Sequence, residues 1–202
     1  MRKTALFCAL MMTLALLPSC GRGEKKSDDL ALSMRTHYLA LQSCEASGEV
    51  TADYGERTYT YSASFSGNGL EGRMEITAPE NIAGTAVSWS DGGTVLEYEG
   101  ASLETGELSP DGLSPVDGFP LILECCTRGA ILESCREDLD GTDTLRVGLQ
   151  NPDLPADAES RVDLWVDPED FTMLRAEVSY GGRTVLTFEF DTCQLTTIET
   201  EE

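Results

Sequence analysis

Cysteine thiols are the most reactive side chains in this sequence, and five of them lie beyond residue 40. They are Cys44, Cys125, Cys126, Cys135 and Cys193. An odd number of thiols cannot all pair within one chain. In an oxidising compartment, Cys135 could pair with Cys125 or with Cys126, and Cys44 could pair with Cys193. The spacing alone leaves the connectivity open.

The remaining two thiols belong to the N-terminal segment. Arg2 and Lys3 precede an apolar run over residues 5–17, which contains Cys8. As a helix this run extends for about 20 Å, which is well short of the ~30 Å hydrocarbon core of a bilayer. A basic start, a short apolar run and a small residue at its end are typical of a cleaved signal peptide. We therefore predict that residues 1–19 are a signal peptide.

Cys20 follows that segment directly. The sequence Leu17-Pro18-Ser19-Cys20 resembles the bacterial lipobox. In a lipobox the cysteine takes a diacylglyceryl group as a thioether and becomes the new N-terminus after cleavage. Chains of the palmitate type on Cys20 would anchor the protein stably, because two acyl chains suffice where one is marginal. Residues 20–29 would then form a lipidated, flexible tether; in the alternative, an ordinary secreted protein, Cys20 is one more thiol.

No other residue pattern predicts catalysis, a metal site or a cofactor. Asp138, Asp140 and Asp143 beside Gly141 offer oxygen ligands of the kind that calcium prefers, but their spacing does not match the twelve-residue calcium loop. His37 is the only histidine and has no evident acid or nucleophile partner, so neither zinc binding nor a general base is predicted. Nucleophile-elbow, zinc-protease and phosphate-loop motifs are missing from the sequence. We predict a protein that is not an enzyme and has no cofactor.

The charge of the chain limits its partners. It has 36 acidic and 14 basic residues, and its formal net charge is −22. Such a polyanion gains nothing from neutralising phosphates and is repelled by anionic lipid surfaces, which excludes nucleic acid as a partner. Its partners should be neutral, apolar or cationic. The length beyond the tether suits one domain, which we assign to residues 30–202.

Two segments have helical patterns. Residues about 29–43 begin with a pair of aspartates and continue with an apolar stripe, Leu30, Met34, Tyr38 and Leu41. This spacing predicts an amphipathic helix. The apolar stretch over residues 121–132 predicts a second helix, over about 119–136.

The rest of the domain alternates with the twofold period of strands. Glycine-rich turns separate neighbouring strands, as at Gly67-Asn68-Gly69 and Gly181-Gly182. Strands joined by short turns are antiparallel, so the fold class is mainly β (α+β), a curved antiparallel sheet with both helices on its concave face. The predicted strands are residues 58–65, 70–78, 85–90, 94–99, 145–149, 162–166, 174–180 and 186–190.

Three stretches of this pattern resemble the lipoprotein-carrier superfamily, whose members have a LolA/LolB-like half-barrel. The first is the helix that ends in Leu41-Gln42-Ser43 and runs into a strand. The second is residues 76–80 with 90–92 and 96–98, and the third is residues 162–167. The resemblance implies a half-barrel over residues 30–202 with a cavity between sheet and helices that accepts an acyl chain.

Four aromatic residues are the weak candidates for lining such a cavity: Trp89, Tyr98, Phe119 and Trp165. Aromatic side chains in a sheet are also common core residues. The predicted function is a membrane-anchored, extracytoplasmic lipoprotein that binds an apolar group of a lipid or lipoprotein. The alternative is an envelope interaction or sensor protein that binds a basic protein partner through its acidic surface.

Overall fold

The computed structural model of this chain describes most of the predicted domain. The signal peptide and Cys20 lie outside the described residues. Side chains are described from residue 26 onward. The described residues are 21–91, 93–106, 111–155 and 157–198.

Within the described residues, eleven antiparallel strands form a single sheet, which confirms the predicted fold class. In chain order the strands are β1 (Leu41–Asp53), β2 (Thr58–Gly67), β3 (Gly72–Ala78), β4 (Ala86–Ser90), β5 (Gly93–Tyr98), β6 (Ala101–Gly106), β7 (Ile131–Leu139), β8 (Thr142–Gln150), β9 (Ser160–Val166), β10 (Met173–Tyr180) and β11 (Arg183–Thr197). Two helices complete the described fold, α1 (Gly21–Leu39) and α2 (Pro115–Arg128).

The two ends of the domain meet in the middle of the sheet. Strands β1 to β6 run outward to one edge, and β7 to β11 return from the other edge, so that β1 pairs with β11. The sheet is curved and unclosed, since β6 and β7 lie at opposite edges. The connection from β6 to β7 must therefore cross the face of the sheet, and α2 lies in that connection.

One face of the sheet carries the core. Side chains that alternate along each strand line up across neighbouring strands, as Val50 does opposite Tyr61 on one side and Phe188 on the other. Leu186 and Phe188 are fully buried, as the predicted alternation requires, and both belong to the main hydrophobic cluster. Burying such side chains contributes roughly 1.5–3 kcal/mol each.

Helix α1 begins earlier and ends earlier than the sequence suggests. Met34 and Tyr38 of the predicted stripe are buried against the sheet. Residues 21–29, predicted as a flexible tether, are helical. The N-terminal part of this helix contacts β7 through polar groups, as in the 2.7 Å hydrogen bond from Ser134 Oγ to Asp28 Oδ1. Its sequence therefore shows no apolar stripe from which a helix could be predicted. Leu41 starts β1 because it pairs with Thr197.

Helix α2 covers residues 115–128, and the prediction of a helix over 119–136 is wrong at both ends. Ser114 caps its N-terminus by accepting a 3.2 Å hydrogen bond from the Asp117 backbone N–H. The helix ends before Gly129, and Ile131 already begins β7. The apolar run in the sequence continues through this boundary, which is why helix and strand were not separated.

We expect Tyr38→Phe to lower the free energy of unfolding by about 1–3 kcal/mol, measured by urea denaturation. The Tyr38 hydroxyl donates a 3.0 Å hydrogen bond to the Phe171 carbonyl in the β9–β10 turn, and Tyr38 is 1% exposed. Loss of the hydroxyl leaves the Phe171 carbonyl without this hydrogen bond, next to the C-terminal end of α1. Tyr180→Phe, at a 46% exposed tyrosine, is the control and should change little. Equal losses in both variants would contradict this role of Tyr38.

Candidate ligand-binding pocket

An apolar hollow lies at the end of the sheet where three segments meet. These are the β1–β2 turn, the β3–β4 connection and the start of α2. Its volume is about 620 Å³, within the range of small-molecule sites. The lining residues are Ala52, Tyr54, Thr58, Tyr59, Thr60, Tyr61, Ile76, Pro79, Asn81, Ile82 and Pro115.

Two tyrosines form the outer rim of this pocket. The rings of Tyr54 and Tyr59 are 6.4 Å apart between centroids and lie edge to face, and each side chain is about half exposed. The Tyr54 hydroxyl donates a 3.1 Å hydrogen bond to the Leu113 carbonyl, just before α2. Partial burial, and then the nearby Asp117 carboxylate, raise the pKa of Tyr54. The rim is therefore neutral and tied to the segment that leads into the helix.

Tyr61 lies deeper in the same pocket and carries an unsatisfied polar atom. The residue is 8% exposed, and its buried hydroxyl has no hydrogen-bond partner among the described residues. Burial raises its pKa well above the ordinary value, so the hydroxyl keeps its proton. A buried donor without a partner costs roughly 1–3 kcal/mol, which a ligand acceptor would recover.

The aliphatic part of the lining comes from Ile76, near the end of β3, and from Ile82, in the β3–β4 connection. This connection turns sharply, with a 3.1 Å hydrogen bond from the Ile82 backbone N–H to the Pro79 carbonyl. The Ile76 N–H donates to the Thr85 carbonyl at 2.8 Å and fixes the end of the connection on β3. Ile76 and Ile82 are partly buried and pack against the main core. This packing holds both isoleucines in the lining of the pocket.

The pocket is electrically neutral in a strongly acidic protein. None of its lining residues has an ionisable carboxylate, imidazole, ammonium or guanidinium group. A second hollow, of about 500 Å³, is lined by charged side chains that include Glu45, Arg73 and Glu75. Arg73 also forms a 2.7 Å ion pair with Glu97 and is therefore already compensated. The neutral pocket is the better site for an apolar ligand because no charge must be desolvated there.

The comparisons with known proteins find similarity among solved structures only. No family model matches the chain, and no curated protein matches its sequence. A structure described as an outer membrane lipoprotein-sorting protein domain, from Vibrio parahaemolyticus, is 13% identical, with 89% of this chain and 95% of that chain covered and a TM-score of 0.45. A LolA superfamily protein from Nitrosomonas europaea is 14% identical, with 85% and 94% covered and a TM-score of 0.44.

Lipoprotein LppX from Mycobacterium tuberculosis is a further similar structure. It is 15% identical, with 81% of this chain and 94% of that chain covered and a TM-score of 0.44. These likenesses lie in the fold. One of these structures is a LolA superfamily protein.

The structure does not bring the four predicted aromatic residues together. Trp89 and Phe119 pack against each other in the core at 6.5 Å between ring centroids. Tyr98 is 40% exposed, and its hydroxyl lies 3.5 Å from the carbonyl of Asn81, which lines the pocket. Only Tyr98 of the four is therefore close to the pocket, and it does not line it.

Trp165 lies on the opposite face of the sheet. Its neighbours Leu164 and Val166 point into the core, so alternation places Trp165 outside. The guanidinium groups of Arg146 and Arg175 lie over its ring, 5.4 and 5.5 Å from the centroid. These contacts stabilise the outer face of the sheet. Trp165 therefore does not line the pocket.

The acidic candidates of the sequence lie in a turn and in a surface ion pair. The Asp138 carboxylate accepts a 2.9 Å hydrogen bond from the Gly141 N–H within the β7–β8 turn, and Asp143 forms an ion pair with Arg136. Among the described residues no group of three or more His, Cys, Asp or Glu could hold a metal ion. His37 packs beside Phe171 at 5.7 Å between ring centroids.

Sequence reasoning missed most of the pocket residues. Tyr59 and Tyr61 were identified only as members of an alternating strand, and Tyr54 and Ile82 were not singled out. The available signal is the density of tyrosines around one turn, with three in residues 54–61. No helix in the described ranges is long and apolar enough to span a membrane.

Proposed function

We propose that this chain is a non-enzymatic lipoprotein that binds an apolar group of a lipid or lipoprotein in the pocket lined by Tyr54, Tyr61 and Ile82. One observation carries the proposal. A protein with a net charge of −22 keeps a hollow of about 620 Å³ free of charged side chains. Such a lining disfavours burial of a charged group and favours the hydrocarbon part of a ligand, whose charged end can stay in solvent.

The unsatisfied hydroxyl supports a particular kind of ligand. Tyr61 offers a buried hydrogen-bond donor without a partner inside a lining that carries no charged side chain. An acyl chain attached through an ester presents both hydrocarbon and an uncharged oxygen acceptor. The pairing of one buried donor with one acceptor fixes how deeply such a chain can enter.

The proposed position in the cell rests on the N-terminal sequence. Cys20, outside the described residues, would carry the lipid that anchors the protein on the extracytoplasmic side of a bacterial membrane. Helix α1 then starts directly after the anchor. The tethered domain would lie close to lipids, while its acidic surface avoids anionic head groups.

Binding is tested with a chain that begins at Gly21 and so keeps every described element. We expect native mass spectrometry to detect one palmitic acid or one lysophospholipid per protein after incubation and removal of detergent. A fluorescent fatty acid should bind and be displaced by either compound. A bare protein mass together with unchanged fluorescence would contradict the proposal. That result would favour the second candidate, a protein that binds a basic partner through its acidic surface.

A further inference from the structure

Two of the five thiols lie side by side at the centre of the sheet. In the β1–β11 pair, Ala46 is opposite Cys193, and Cys44 is opposite Leu195. Cys44 and Ala46 share one face of β1, so Cys44 and Cys193 are diagonal neighbours on the core face. Both belong to the hydrophobic core or pack against it.

The two thiols lie in different surroundings. The Cys193 sulfur accepts a 3.3 Å hydrogen bond from the Met173 backbone N–H. The neighbouring Cys44 thiol and this backbone N–H lower the pKa of Cys193, whereas the neighbouring Cys193 and burial raise the pKa of Cys44. Cys193 is partly exposed and Cys44 is fully buried. Cys193 is therefore the thiol that an oxidant reaches first and the one that more readily forms a thiolate.

The other conceivable pairing does not fit the fold. Cys135 lies opposite Arg146 on β8, and Arg146 lies over Trp165 on the outer face. Cys125 and Cys126 are fully buried in α2, which crosses the core face. A bond from Cys135 to either thiol would have to pass through the sheet.

We propose that Cys44 and Cys193 form a reversible disulfide that joins the first strand of the domain to the last. The oxidant is a disulfide-bearing molecule or protein. The Cys193 thiolate attacks one sulfur of the oxidant, which releases one thiolate and leaves a mixed disulfide. Cys44 then loses its proton and attacks the Cys193 sulfur, which releases the second thiolate. Both thiolates take up protons, and the oxidant has gained two electrons.

The position of the bond gives it a structural consequence. Diagonal neighbours in an antiparallel pair are about 7–8 Å apart between Cα atoms, slightly beyond the ~4.4–6.8 Å that disulfides usually span. The strands must approach each other slightly, and a bond formed under such strain is easily reduced. The closed loop contains most of the domain, so the oxidised form should resist unfolding more strongly.

The test compares the full chain in oxidised and reduced glutathione buffers, without denaturant. Free thiols are then blocked, the protein is digested, and cross-linked peptides are identified by mass spectrometry. We expect the peptide with Cys44 to be joined to the peptide with Cys193 in the oxidised sample, with a mass about 2 Da below the sum of the two. Reduction with dithiothreitol before the blocking step should break the disulfide, so that both cysteines are then blocked. Blocking of both thiols in the oxidised sample, or a bond from Cys193 to Cys126, would overturn the proposal.

Variants provide an independent measurement. Oxidation should raise the urea midpoint of the unsubstituted chain and of the Cys135→Ser control. It should leave the midpoint of Cys193→Ser unchanged, because no bond to Cys44 can form. If Cys193→Ser does not fold, the peptide mapping of the unsubstituted chain decides alone. An equal rise in Cys193→Ser would show that another bond causes the stabilisation.

Discussion

Phe119→Ala is expected to lower the free energy of unfolding by about 3–5 kcal/mol. Phe119 is fully buried where α2 crosses the sheet, and its ring stacks on Phe65 with 4.4 Å between centroids. It also packs against Trp89 and Phe190 at 6.5 and 6.4 Å. Truncation removes these contacts and leaves a cavity between helix and sheet that the surrounding side chains cannot refill. Urea denaturation followed by circular dichroism measures the change.

A matched aromatic variant controls this result. Tyr98 was singled out by the same sequence reasoning as Phe119, but it lies at the end of β5 and is 40% exposed. Tyr98→Ala should cost about 1 kcal/mol or less, since surface truncations have small effects. Similar losses in the two variants would mean that Phe119 does not connect α2 to the sheet as described.

Several of the strands that the sequence predicts have one buried face. In β9, Val162, Leu164 and Val166 are all fully buried and alternate with residues on the outer face. In β2, Tyr61 and Phe65 are buried at the same spacing. Burial on one face makes the twofold pattern visible in the amino-acid types. The same reasoning locates the hairpin of β10 and β11.

The edge strands lack this signal. All six residues of β6 are exposed, so burial imposes no alternation on them. In β7, Ile131 and Leu132 extend an apolar run that begins inside α2, and the run has the composition of a helix. Only pairing with β8, such as Ile131 opposite Leu149, defines this segment as a strand. In this segment, pairing with a neighbouring strand outweighs the helical pattern of the local sequence.

The pocket could not be predicted because its lining comes from separate segments. Tyr54 follows β1, Ile82 lies between β3 and β4, and Pro115 begins α2. None of these residues is unusual in its own segment. They meet only because α2 returns across the face of the sheet. The four aromatic candidates also failed to converge, since alternation places Trp165 on the face opposite Phe119.

The pairing of β1 with β11 explains why the domain is one unit. The turns of the sequence predict neighbours within each half of the meander, but they do not predict how the halves meet. The described contacts between the halves run along almost the whole of β1, from Leu41 to Ala52. Cys44 and Cys193 lie within this seam. A redox-dependent bond there would act on the junction that makes the two halves a single sheet.

Ile82→Glu is expected to weaken the binding of palmitic acid or lysophospholipid at least about tenfold at pH 7. Ile82 lines the neutral pocket, and a glutamate there places a charge against the hydrocarbon of the ligand. Even about 1.4 kcal/mol of added desolvation reduces affinity tenfold. Displacement of a fluorescent fatty acid from the chain that begins at Gly21 measures the change.

Three controls distinguish the effect of a charge in the pocket from a general loss of structure. Leu103→Glu adds the same charge at a 61% exposed leucine on β6 and should leave affinity unchanged. Ile82→Leu keeps the aliphatic lining and should bind nearly as well as the original chain. Acidification toward the pKa of the new glutamate should restore part of the affinity of Ile82→Glu for lysophosphatidylcholine, whose own charges do not change there, because the neutral acid is easier to desolvate. Undiminished binding by Ile82→Glu would place the ligand elsewhere, since a charge against a bound hydrocarbon chain cannot be without cost.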